Sequence, residues 1–136
     1  MDARSADELS GHPGQWRELA VGDDFVITQV DDGNPVGGDV GDLITSSVSM
    51  PRMVALMLKH LDVHGGERVL EIGTGTGWNA ALLAHRLGAD CVTTIEVDPQ
   101  VGTRAKKAPS DAGFGDVIVI TGDGRWYTLR ERPTIV

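Results

Sequence analysis

Arg68-Val69-Leu70-Glu71-Ile72-Gly73-Thr74-Gly75-Thr76-Gly77 is the stretch on which the fold of this chain turns. A short apolar run ends in an acid, and three glycines follow at alternate positions. Asn79-Ala80-Ala81-Leu82-Leu83-Ala84-His85-Arg86-Leu87 comes next, with apolar residues at 80, 83, 84 and 87. That spacing is one face of a helix. The whole reads as strand, glycine turn and helix, the opening of a nucleotide-binding βαβ unit. Glycines suit the turn because the chain bends sharply and a ligand must lie close to the backbone. The helix N-terminus adds free N–H groups and the positive end of a dipole.

The ligand is narrowed by what interrupts the pattern. A dinucleotide fingerprint places its third glycine at position 78, where this chain has Trp78. Glu71, at the end of the strand, would repel phosphate and suits a ligand carrying an ammonium or sulfonium group. Leu70-Glu71-Ile72-Gly73-Thr74-Gly75-Thr76-Gly77 resembles the first motif of the class I S-adenosylmethionine-dependent methyltransferases. That resemblance implies S-adenosyl-L-methionine as cofactor, with Glu71, Gly73, Gly75 and Gly77 among its binding residues. A nicotinamide-dependent oxidoreductase is disfavoured by Trp78.

Composition sets the outer bounds. The chain has 136 residues, of which 40% are hydrophobic, enough for the core of one domain. A net charge of −8 argues against nucleic acid as partner, since phosphate binding needs basic patches. There is no apolar run of about 18 residues, so no membrane span is expected, and the polar N-terminus is unlike a signal peptide. One cysteine, Cys91, excludes an internal disulfide and fits a reducing, cytoplasmic setting; it reads as a small core residue.

Upstream of the glycine motif, Pro13 to Ala20 reads as a short helix and Phe25 to Val30 as a strand. Asp31-Asp32-Gly33-Asn34-Pro35 and Gly37-Gly38-Asp39 read as loop. A helix over 51–61 has Pro51 in its first turn, Ser49 as its N-cap and Val54, Met57, Leu58 and Leu61 as its apolar face. His64-Gly65-Gly66 stops it. The hydroxyl cluster Thr45, Ser46, Ser47 and Ser49 is, by spacing alone, capping and turn chemistry. A second reading comes from a resemblance. Ser47-Val48-Ser49-Met50-Pro51-Arg52-Met53-Val54-Ala55 is similar to the Thr-Ile-Ser-Ala-Pro-His-Met-His-Ala segment of protein-L-isoaspartate O-methyltransferases. Ser49, Pro51, Met53 and Ala55 match outright and Ser47 keeps a hydroxyl, whereas Arg52 and Val54 replace the family's two histidines. The resemblance implies that Ser47 and Ser49 meet the cofactor and that Ser49 meets the substrate carboxyl as the catalytic residue.

Downstream, Cys91 to Val97 reads as the second strand of the unit. Glu96 lies about 20 residues beyond the glycines, where a carboxylate accepts from both ribose hydroxyls. Asp98-Pro99 is an N-cap followed by an N1 proline. Val101, Ala105 and Ala108 continue a helix over 99–108, which Pro109 should stop or kink. Asp116 to Ile120 reads as a buried parallel strand. Asp123 and Gly124 follow at its C-terminal end, where the resemblance implies that Gly-Asp-Gly borders the adenine. Thr134-Ile135-Val136 could begin a fourth strand. His60 and His64 stand four apart, but without an HExxH pattern or cysteine partner no metal site is expected.

These readings give an α/β fold: a Rossmann-like three-layer sandwich around a parallel sheet, incomplete at its C-terminus against the family's seven strands. The resemblance covers about residues 23–124. Residues 1–49 read as an N-terminal cap and substrate-side segment and 50–136 as a partial cofactor-binding domain. The implied activity is carboxyl O-methyl transfer, in protein repair or on a precursor peptide, with a protein or peptide carrying a free carboxylate as substrate. The alternative is a truncated, non-catalytic relic that binds cofactor weakly or pairs with a partner. Weak cofactor binding and poor turnover are expected of the chain alone.

Overall fold

The computed structural model describes residues 14, 18, 21–33, 43–127 and 134–135. The chain divides into two compact units, Met1–Met57 and Leu58–Val136.

In the first unit, strand β1 (Val26–Val30) pairs antiparallel with β2 (Ile44–Val48). Strand β2 is an addition to the sequence reading, although Ile-Thr-Ser-Ser-Val is rich in the β-branched residues that favour strands. The pair is tied across by side chains: the Thr28 hydroxyl donates to Ser46 Oγ at 2.9 Å, and Thr45 Oγ1 donates to Gln29 Oε1 at 3.0 Å. A single 3-10 turn follows β1 at Asp31–Gly33, and Asn34 to Asp42 lie outside the described residues. So does most of the helix expected over 13–20; Gly14 and Glu18 are helical, and Gly22 N–H bonds the Glu18 carbonyl at 2.9 Å.

Helix α1 (Pro51–Leu61) starts one residue later than a Ser49 cap requires. Its first intrahelical bond runs from Val54 N–H to the Met50 carbonyl, so Met50, which has no side-chain oxygen, holds the cap position. Asp23 supplies the missing acceptor: its Oδ1 takes the Arg52 N–H at 3.0 Å, and its Oδ2 pairs with Arg52 Nε at 2.9 Å. Val54 is buried, whereas Met57, expected on the apolar face, is exposed.

Among the described residues, the second unit carries four parallel strands in the order β5-β4-β3-β6: β3 (Val69–Ile72), β4 (Val92–Glu96), β5 (Ile118–Thr121) and β6 (Thr134–Ile135). Helices α2 (Trp78–Leu87) and α3 (Pro99–Asp111) connect β3 to β4 and β4 to β5. Successive crossovers run one way from β3, while β6 lies on the other side of it. The C-terminal end of β3 is therefore a topological switch point, where open α/β sheets place their ligands. Val69, Ala80, Leu83, Ala84 and Val92 form the centre of the core, with Leu58, Leu61, Leu87, Phe114 and Val117 packed around it. Burying a side chain such as Leu83 contributes about 1.5–3 kcal/mol. The helical spacing of 80, 83, 84 and 87 and the strand residues of the opening motif thus meet in one cluster.

Three expectations are corrected here. Helix α3 runs through Pro109 to Asp111, because the proline falls in the last turn, where it removes one bond just before the helix ends. The Pro109 carbonyl then accepts from Phe114 N–H at 2.8 Å. Its buried face is Val101, Gly102, Ala105 and Pro109, and Ala108 is exposed. Strand β5 is exposed at Ile118 and Thr121 and half-buried at Val119 and Ile120 rather than buried, as suits a strand with β4 on one side only among the described residues. Cys91 is half-buried in a 3-10 turn ahead of β4. The turn before β3 is closed by Glu67, whose carboxylate accepts from the His64 and Gly65 N–H groups, bonds that hold it below the usual carboxylate range.

Candidate active site

The loop after β3 is built on three left-handed glycines: Gly73 at φ 92°, Gly75 at φ 55° and Gly77 at φ 80°. Their surroundings differ. A Cβ on Gly73 would meet nothing within 4 Å, so that position opens onto free space. A Cβ on Gly77 would stand 3.0 Å from the Ala105 carbonyl oxygen and 3.1 Å from Pro109 Cδ, so helix α3 presses directly on the loop. The loop is pinned to the sheet by Gly73 and Thr74 N–H groups, which both donate to the Ile95 carbonyl, at 2.8 and 3.2 Å.

Glu96 ends β4 and turns back toward this loop. Its Oε2 accepts from Gly75 N–H at 2.9 Å and its Oε1 from Asp98 N–H at 3.1 Å. It is 7% exposed, and each oxygen keeps a further lone pair beyond its backbone bond. Asp98 in turn caps α3 by accepting from Gln100 and Val101 N–H groups. A Cβ on Gly102 would lie 2.9 Å from Thr121 Oγ1 and 3.5 Å from Glu96 Cβ, so this helical glycine is what lets α3 lie close against Glu96.

Glu71 is 4% exposed and faces inward. Its register partner across β3 and β4 is Thr94, which puts the two side chains on one face. Thr94 Oγ1 donates to Glu71 Oε2 at 2.5 Å, and Asn79 Nδ2 donates to Oε1 at 2.7 Å. Burial pushes the Glu71 carboxyl above the usual range; the Thr94 and Asn79 bonds oppose that, and the charge of Glu96 adds to it. Both oxygens of the acid read as facing a cationic ligand are thus engaged by the protein itself. Sequence reasoning misses Asn79 and Thr94, the first inside an apolar helical run and the second inside a β-branched one.

Asp123 caps the 3-10 turn Gly124–Trp126 and grips Arg125, whose Nη2 lies 2.6 Å from Oδ2. Those bonds hold the half-buried Asp123 carboxyl below its usual range. Gly124 is needed because a Cβ there would come 2.9 Å from Ile72 Cγ2. The ends of β3 and β5 are thereby brought together across β4. Gly122 N–H also donates to the Glu96 carbonyl at 2.8 Å. Within the second unit, the glycine loop, Glu96 and the Asp123-Gly124 turn sit at the C-terminal ends of three adjacent strands.

Ser47 and Ser49 belong to the first unit. Both are exposed, and neither hydroxyl bonds another of the described residues, unlike Thr45 and Ser46, which tie β1 to β2. His64 lies 3.5 Å from Asp62, and no group of three potential metal ligands occurs among the described residues. No helix among them is long and apolar enough to cross a membrane.

A family model described as protein-L-isoaspartate(D-aspartate) O-methyltransferase matches residues 26–132. Protein-L-isoaspartate O-methyltransferase 2 of Anaeromyxobacter sp. is 38% identical over 112 residues, 82% of this chain and 40% of that protein. Protein-L-isoaspartate O-methyltransferase 1 of Archaeoglobus fulgidus is 46% identical over 79 residues, 57% of this chain and 37% of that one. The chain therefore spans about two fifths of the length of these relatives. Among solved structures, a protein-L-isoaspartate O-methyltransferase superposes with a TM-score of 0.60 at 26% identity, covering 82% of this chain and 32% of the other. A SAM-dependent methyltransferase from Thiobacillus denitrificans, in complex with S-adenosyl-L-homocysteine, does so with a TM-score of 0.52 at 28% identity, covering 62% and 34%.

Proposed function

We propose that this chain, which belongs to the protein-L-isoaspartate O-methyltransferase family, binds S-adenosylmethionine and serves carboxyl O-methyl transfer to a protein or peptide. One observation carries the reading: Glu96 holds Gly75 N–H at 2.9 Å at the sheet's switch point, so a carboxylate is fixed beside a left-handed glycine loop. The residues fit such a cofactor. Gly73 opens onto free space, which leaves room for a ligand against the backbone. Glu96 retains lone pairs for a ribose diol. Asp123 and Gly124, one strand further on, would border the adenine, and the charge of Glu71 favours a cationic centre nearby.

When bound, S-adenosylmethionine supplies an electrophilic methyl group on a sulfonium. The chain's own part is to bind and orient. A substrate carboxylate is already ionised at neutral pH, so no strong general base is required. Alignment of reacting groups can supply about 7–11 kcal/mol. Ser47 and Ser49 are proposed, on the family segment alone, as the hydroxyls that meet the cofactor and the substrate carboxyl. The substrate class proposed is an isoaspartyl residue of a protein or peptide, which is what the relatives' names state. A cytoplasmic setting belongs to the same proposal, on the single cysteine.

Calorimetric titration with S-adenosylhomocysteine, with NAD as control, tests this. Saturable binding of the first and none of the second is expected. Binding of NAD alone, or of neither, overturns the reading.

A further inference from the structure

Four side chains at the switch point, three of them buried and Asn79 half-buried, form one hydrogen-bonded chain. Asn79 Nδ2 donates to Glu71 Oε1, Thr94 Oγ1 donates to Glu71 Oε2, and Thr74 Oγ1 stands 2.7 Å from Thr94 Oγ1. Thr74, Thr94 and Glu71 are each at most 5% exposed. A hydroxyl has a single proton. Thr94 commits its proton to Glu71, so Thr74 must donate to Thr94. The direction of the whole chain follows from the carboxylate at its end. Its members sit on the parts that shape the site: Thr74 between Gly73 and Gly75, Asn79 in the first turn of α2, Glu71 on β3 and Thr94 on β4.

We propose that Thr94 and Asn79 are positioning residues of the cofactor site, which act through Glu71 to hold the glycine loop and the start of α2 in one arrangement. The inference rests on the cofactor reading above. Glu71 touches its two donors rather than solvent, so it works as an anchor for the loop. Val in place of Thr94 keeps the shape and removes the donor; Ser keeps the donor. Without Thr94 the Thr74 hydroxyl loses its acceptor, the Glu71 carboxylate loses one of its two donors, and the Glu96 carboxylate on Gly75 N–H is left as the side-chain tie between loop and sheet. Burial and the neighbouring Glu96 charge then act on a less supported carboxylate, which takes up a proton at higher pH.

Two measurements on the whole chain decide it: S-adenosylhomocysteine affinity by calorimetry across neutral pH, and the titration of the Glu71 carboxyl carbon by NMR in the free protein, assigned with Glu71→Gln. Thr94→Val should bind about tenfold more weakly, with the Glu71 titration moved to higher pH. Thr94→Ser should restore both. Asn79→Ala should weaken binding in the same sense. Wild-type binding accompanied by an unmoved Glu71 titration and unchanged affinity in Thr94→Val overturns the positioning role alone. A wild-type chain that binds no S-adenosylhomocysteine removes the cofactor reading and the positioning role with it, whatever the titration does.

Discussion

Gly77 and Pro109 lie in direct contact, with the site of a Gly77 Cβ only 3.1 Å from the proline Cδ. The proline has no N–H to offer the Ala105 carbonyl. That carbonyl instead faces Gly77, 3.0 Å from the same Cβ site. A helix residue that costs a hydrogen bond is thus placed where its ring packs the loop. Gly77→Ala would meet both a left-handed φ and backbone atoms that cannot move aside. It should destabilise the chain by about 2–4 kcal/mol. Gly73→Ala carries only the conformational part, about 1–2 kcal/mol, because nothing stands within 4 Å of its Cβ. Urea denaturation of the two variants checks this, and equal losses would show that the packing of α3 on Gly77 is slack.

Asp23 is the cap that α1 lacks in its own sequence. Asp23→Ala should destabilise by about 1 kcal/mol, the usual effect of losing a side-chain cap. Asp23→Asn keeps the acceptor for Arg52 N–H and should stay close to wild type, since an exposed ion pair contributes only about 0–1 kcal/mol. Denaturation midpoints of the three proteins test the order. If Asn is as damaging as Ala, the charge pairing with Arg52 matters more than the cap.

The contrast between these two sites shows what is legible in the sequence. The three glycines at alternate positions announce the loop because few other residues adopt positive φ, and Glu96 is placed by its distance from them. The parallel strands β3, β4 and β5 follow from β-rich runs alternating with helical spacing. Asp23 is invisible because its partner Arg52 is 29 residues away. Thr94 is hidden because a buried hydroxyl inside Val-Thr-Thr-Ile reads as strand propensity. Gly102 carries a signal that is easily passed over: a glycine in a helix interior costs about 1 kcal/mol against Ala, and here its closeness to Thr121 and Glu96 explains it. Ser47 and Ser49 are set apart from Thr45 and Ser46 only by the pairing of β2 with β1, which local spacing does not encode.

Glu96 holds Gly75 and Asp98 N–H groups, and in the function proposed above it also accepts from the ribose. Glu96→Ala removes both and should weaken S-adenosylhomocysteine binding by about 1.5–3 kcal/mol, the range for hydrogen bonds to a charged group. Glu96→Gln should not rescue it, because one carboxylate oxygen becomes an NH2 group that faces either Gly75 N–H or Asp98 N–H. Calorimetric affinities of the three proteins measure this. A Gln variant that binds like wild type would move the ribose-binding role away from Glu96.

The charge of Glu71 should be visible in the pH dependence of stability. Its carboxyl is raised above the ordinary value of 4.5, chiefly by burial and against the pull of Thr94 and Asn79. A raised carboxyl means that the folded chain binds the proton more tightly than the unfolded one. Stability contributed by Glu71 is then fully present below 4.5 and is lost as pH rises from there through the folded value. Glu71→Gln has no such proton. The stability of wild type minus that of Glu71→Gln should therefore fall with rising pH across that window and level off above it. Glu67 and Asp123, both held below their usual values, pull the other way by losing stability on acidification, but they are common to both proteins and cancel in the difference. Urea titrations of the pair across the acid range provide the measurement. A difference that rises with pH would mean that the bonds from Thr94 and Asn79 outweigh burial, and that Glu71 is held ionised more firmly than its surroundings imply.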